Sequence, residues 1–107
     1  MSRADTEATI LEQRLRLGVG LHEADRPRIL AALDSLNRHL EHWNPDQVDV
    51  HVGIKDRDGS EQTITLEVLL PHTAPLVAHY SDPELDRALV EARQIMARAI
   101  EASRTVR

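Results

Sequence analysis

Between residues 48 and 70 the chain alternates. Val48, Val50, Val52 and Ile54 recur at every second position, and beyond "KDRDGSEQ" so do Ile64, Leu66, Val68 and Leu70. A period of two is that of strands with one buried face. Two such runs around an Asp-Gly-containing turn predict an antiparallel hairpin. Upstream, "RLRLGVGL" sets Leu15, Leu17, Val19 and Leu21 against Arg14, Arg16, Gly18 and Gly20, a strand weakened by its glycines. In "DRPRILAALDSLNRHLEHW" the period changes, and Ile29, Leu33, Leu36, Leu40 and Trp43 form one helical stripe. Asp25 is placed to cap this helix, Pro27 fits its first turn, and Asn44-Pro45 stops it. "PHTAP" reverses the chain and "LVAHY" predicts a short fourth strand. Leu85, Leu89, Ala92, Met96, Ala99 and Ile100 then stripe a closing helix that opens at Ser81-Asp82-Pro83. Ser81 and Glu84 have the spacing of a capping box there.

The order is β-α-β-β-β-α, which predicts a two-layer α+β sandwich: a four-stranded sheet with two helices on one face. Residues 1–13 read as a polar lead-in with local helix, 14–104 as a single domain, and 105–107 as a short tail. The sheet's other face is expected to be polar, with Arg14, Arg16, His51, Thr63, Thr65 and Glu67 on it.

Charge complicates this picture. The 107 residues carry 13 basic and 18 acidic side chains, for a net charge of −5, which on average repels nucleic acid and acidic membranes. The charges are nevertheless segregated. Asp46, Asp49, Asp56, Asp58, Glu61 and Glu67 occupy the strand-rich middle, whereas arginines collect on the helices. On the first helix, Arg28, Arg38, His39 and His42 fall opposite the apolar stripe. On the second, Arg87 and Arg98 point away from it, while Arg93 and Arg104 share a flank. The ordinary reading of such a stripe is a solvated helix face, supported by local pairs of Glu91 with Arg87 and Glu101 with Arg98. With no Phe, one Tyr and one Trp, the composition argues against stacking platforms for exposed bases, but contacts to the backbone of folded RNA are not excluded.

Chemistry of other kinds finds little footing. No cysteine is present, so disulfides, thiol nucleophiles and thiolate metal sites are excluded. His39 and His42 lack the spacing and further ligands of a metal site. Asp56 and Asp58 lie in a turn without a calcium-binding loop. No serine has a neighbour that would activate it, and "LGVGL" lacks the phosphate-loop pattern. No catalytic residue, metal or cofactor is expected. With no apolar run long enough to span a membrane and no leader, a cytoplasmic protein is expected.

The ordered combination of "RLRLGVGLHEADRPRILAALDSLNRHLEHW", "VDVHVGI" and "TITLEVLLPHTAPLVAHYSDPELDRALVEARQIMARAI" resembles the short bacterial ribosome hibernation-promoting and ribosome-associated inhibitor proteins, from about Leu15 to Arg104. The last segment, with Asp86 through Leu89 and the small Ala88, is the more specific part. The resemblance implies a domain that binds the small ribosomal subunit near its decoding region, excludes messenger and transfer RNA, and silences translation. It makes Arg16, Arg28, Arg38, Arg87, Arg93, Arg98 and Arg104 candidates for phosphate contact with ribosomal RNA, with His39 and His42 as hydrogen-bonding neighbours. Relatives commonly carry more lysine in and after the closing helix; here arginines stand widely spaced. The resemblance is to short members, so a monomer is expected, with a surface-mediated homodimer as the alternative. The competing reading is a small protein-interaction regulator that kept the fold without the RNA.

Overall fold

The computed structural model describes residues 8–105. Its sheet contains β1 (Leu15–Leu17), β2 (Asp49–Lys55), β3 (Gln62–Leu69) and β4 (Leu76–Asp82), in that spatial order. β1 runs parallel to β2, and the other neighbours are antiparallel. The helices are α1 (Ile10–Arg14), α2 (Arg26–Leu33), α3 (Leu36–Leu40) and α4 (Leu85–Thr105). The expected α+β architecture is therefore present, a mixed four-stranded sheet flanked by helices.

The alternation in β2 and β3 does what its period requires. Val50, Val52, Ile54, Ile64, Leu66 and Val68 are buried beneath the helices, and the intervening residues reach the open face. Cross-strand pairs on that face include Thr63 with Ser81 at 2.8 Å and Thr65 with the His79 ring at 3.1 Å. From the helices come Ile29, Leu33, Leu36, Leu40, Leu89, Ala92, Met96 and Ile100, all fully buried. The core is aliphatic throughout, as a chain without Phe must make it.

Four details differ from the sequence reading. The first helix is two: at Asp34 and Ser35 the backbone tightens, with Asp34 N–H donating to Ala31 O and Asn37 N–H to Asp34 O. Both residues keep right-handed helical angles, so the apolar stripe continues across the break. The local helix expected in the lead-in is α1, opened by a Thr9–Glu12 capping box, but the segment is not simply polar: Ile10 and Leu11 enter the core. Arg14 ends α1 instead of lying on the open sheet face; it donates to Val48 O and the Asp49 carboxylate, both at 2.8 Å. Ser81 belongs to β4, and Asp82 caps the approach to α4 by accepting from Glu84 N–H at 2.8 Å. Residues 1–7, 106 and 107, parts of the predicted lead-in and tail, lie outside the described residues.

Asp25 stands at the N-cap of α2, but its side chain makes no capping hydrogen bond to that helix. Its two carboxylate oxygens receive both terminal nitrogens of Arg57 at 2.8 Å, and one also accepts from His22 N–H. Arg57 further donates to Gly20 O, so it ties the β2–β3 turn to the start of α2. Hydrogen bonds from Arg57, then from the His22 backbone, hold the Asp25 carboxyl well below the usual carboxylate range. A depressed folded-state pKa gives stability that is complete above the unfolded value, about pH 4, and is lost as the pH falls below it. Arg57→Gln should therefore cost stability at pH 7 by a margin that shrinks on acidification below about pH 4. Urea unfolding of both proteins across that range checks it; a deficit independent of pH would show that the ion pair is not its source.

Candidate functional site: the cationic helix layer

The nine candidate residues do not form one uninterrupted patch. Arg16 is on the open sheet face, on β1, 3.9 Å from Asp49. Arg28, Arg38, Arg87, Arg93, Arg98, Arg104, His39 and His42 belong to the helical layer on the opposite side.

Within that layer, acidic partners occupy much of the positive charge. Arg28 on α2 meets Asp86 on α4 at 2.7 Å. His39 Nδ1 lies 2.7 Å from one Glu101 oxygen, and Arg104 donates to the other at 2.8 Å. The His39 hydrogen bond, with the Arg104 charge assisting, holds the Glu101 carboxyl below its ordinary range. Arg93 is half-buried and donates to Ala32 O at 3.1 Å, joining α4 to α2. The flank that Arg93 and Arg104 share is thus the seam facing α2 and α3. His39 belongs to the same seam, not to the outer face expected of it.

The remaining cations are more available. Arg87 is exposed and loosely held, 3.5 Å from Glu84 and 3.9 Å from Asp82. Its expected partner Glu91 is not engaged, and Glu101 pairs away from Arg98 toward His39 and Arg104. Arg38 and Arg98 are exposed, with no ion pair or hydrogen bond from their side chains among the described residues. His42 is exposed at the end of α3, its ring edge-on to Trp43 with centroids 6.0 Å apart. The layer therefore offers separated guanidinium groups for anion contact, with Asp86 and Glu101 interrupting the ridge.

Two features have no counterpart in the sequence patterns. The Arg57–Asp25 pair joins distant segments, and no local spacing signals it. Lys55, the single lysine, is exposed at the end of β2 and appears in the sequence only as part of a turn. Among the described residues no group of three or more His, Asp or Glu is arranged to hold a metal ion, and no helix is long and apolar enough to cross a membrane.

With this geometry the domain shares its fold with solved structures at low sequence identity. One match is a ribosomal subunit interface protein from Coxiella burnetii, with TM-score 0.67 and 10% identity over 87% of this chain and 99% of that one. Another is the N-terminal domain of Thermus thermophilus Protein Y, with TM-score 0.58 and 15% identity over 84% of this chain and 98% of that domain. No protein-family model matches the sequence, and no curated protein matches it. What is shared is the fold, over nearly the full length of both structures.

Proposed function

We propose that the protein is a ribosome-associated silencing factor that occupies the decoding region of the small subunit and excludes messenger and transfer RNA. The observation that supports this reading is the fold shared with a ribosomal subunit interface protein over 99% of that chain, and with the Protein Y N-terminal domain over 98% of it. The helical layer is the contacting side in this reading, because it presents the exposed guanidinium groups. Arg38 is the leading phosphate contact: it is exposed and has no acidic partner among the described residues to displace. Arg93, His39 and Arg104 hold the helices together and shape the surface. The reaction is none; the protein acts by occupying space.

Co-sedimentation with small subunits and assembled ribosomes tests it. Wild-type protein should bind saturably, with affinity falling steeply as salt rises because phosphate contacts release counterions. Arg38→Ala should weaken binding by about fivefold and reduce the salt slope by about 1. Absence of saturable wild-type binding to competent ribosomes would overturn the proposal.

The open sheet face supports a second reading, docking of a protein partner. Val19 and Val77 are 80% and 45% exposed there. A shallow depression of about 270 Å³, floored by Gly53, lies beside Val19 and His51. Apolar docking on this face would lack the counterion-release dependence on salt.

A further inference from the structure

We propose that the β4 side of the domain is a homodimer interface, at which β4 pairs antiparallel with β4 of a second copy and the two α4 helices pack across the same two-fold axis.

The two edges of the sheet are built differently. At one, β1 is only three residues long. At the other, β4 keeps unbroken register with β3 from Leu76 to Asp82, and no strand pairs with its outer side among the described residues. Natural edge strands are usually blunted by shortness, bulges, lysine or proline. β4 is seven residues long and its sequence, "LVAHYSD", holds neither lysine nor proline. Its one inward charge, Asp82, sits at the strand's end and is occupied in capping. The outer backbone groups of β4 are therefore a template for another strand.

The helix above this edge supplies the matching half. α4 packs over β4 and β3, and its other contacts define its flanks. Arg93 to Ala32, Asp86 to Arg28 and Glu101 to His39 all mark the flank toward α2 and α3. Glu91 and Ile95 are each two residues from Arg93 and so about 160° from it around the helix, on the flank beyond β4. Ile95 and Ala99 are half-buried apolar residues, and Leu76 and Tyr80 are half-buried on the helix side of β4. The β4 edge thus carries an apolar seam as well as an open strand.

Charge selects a second copy as the occupant. Glu91 and Arg98 are seven residues apart, nearly in line along α4 and separated by about 10 Å, too far to pair with each other. Neither side chain has a partner among the described residues. In an antiparallel pair of α4 helices centred between them, Glu91 of each copy faces Arg98 of the other, giving two equivalent ion pairs around Ile95. This is the self-complementarity that a two-fold interface requires.

The strand and helix centres fall within about one helical turn of each other. A two-fold axis through His79 lies about 10 Å of strand back from Asp82. The same distance along α4 from its start reaches the turn before Ile95. With strands about 4.8 Å apart, helices riding over β3 and β4 of each copy come about 10 Å from each other, which is helix-packing distance. Across the strands, Val77 would face Ser81 and Ala78 would face Tyr80 of the second copy, with no two carboxylates or guanidiniums opposed.

Sedimentation equilibrium of the purified chain without ribosomes, over a micromolar concentration series, tests the interface independently of ribosome binding. Wild type should dimerise, and amide exchange in β4 should slow as concentration rises. Glu91→Arg should weaken the dimer about tenfold, and Glu91→Arg with Arg98→Glu should restore it. Both side chains lack intrachain partners, and circular dichroism checks that the variants fold. A wild-type monomer throughout the series overturns the proposal. So does a dimer indifferent to Glu91→Arg, or a loss that the double exchange fails to recover.

Discussion

Gly20→Ala should destabilise the domain by about 3 kcal/mol, while Gly53→Ala leaves stability unchanged or raised by up to about 1 kcal/mol. Gly20 has φ +81°, a left-handed conformation that resists a side chain, and an added Cβ would overlap the Ile54 carbonyl oxygen and side chain. A backbone carbonyl cannot turn aside as a flexible side chain can. Relief would pull the 18–20 segment off β2, and with it the Gly18 N–H to Val52 O and Ile54 N–H to Val19 O hydrogen bonds, of 2.7 and 2.8 Å. At Gly53 the nearest atoms, Val19 O and N, would be 3.5 and 3.6 Å from a Cβ, ordinary contact distances. A methyl group there mainly restricts the unfolded chain. Gly18 is intermediate, since its Cβ would lie 3.3 Å from Val52 O. Urea unfolding followed by circular dichroism should rank the losses Gly20, Gly18, Gly53. Equal effects at Gly20 and Gly53 would mean the segment shifts freely and does not fasten the edge.

Leu66→Ala should cost about 3–4 kcal/mol, against a total of about 5–15 kcal/mol for a domain of ordinary stability. Leu66 is central in β3, between Val52 on β2 and Ala78 on β4, and wholly buried under the helices. Aliphatic neighbours fixed in a paired sheet cannot collapse fully into the space left behind, so a cavity cost adds to lost burial. Leu30→Ala, at a half-buried position on α2, should cost only about 1 kcal/mol. Comparable losses at the two sites would show that the sheet relaxes around the cavity.

What was legible in the sequence follows from periodicity. The β2 and β3 alternation, the stripe of α4 and the buried faces of both are local properties, and each survives into the structure. The division of α2 from α3 was not legible, because Asp34 and Ser35 remain helical in angle and the stripe passes through them. α1 is short, but the Thr9-Ile10-Leu11-Glu12 pattern did carry a readable capping box. The site was less accessible for a geometric reason. A helical wheel shows how far a residue lies from its own helix's core stripe but not which flank meets a neighbouring helix. Hence Arg93, placed on a flank by angle, and His39, placed opposite the stripe, fall in the seam with α2 and α4 respectively. Arg87 and Arg98 lie farther around and remain exposed. The Arg57–Asp25 pair depends on the fold bringing a strand turn beside a helix start, which no local pattern encodes.

The parallel pairing of β1 with β2 imposes an order on assembly. β2, β3 and β4 are consecutive antiparallel strands, and their register closes through short turns. Leu15 can meet Val50 only after α2, α3 and the chain between them have been drawn back across the sheet. Closing that longer loop costs more entropy before any contact repays it. The β2–β4 meander with α4 is therefore expected to form early, and the β1 edge, secured through Gly18 and Val19, to close last.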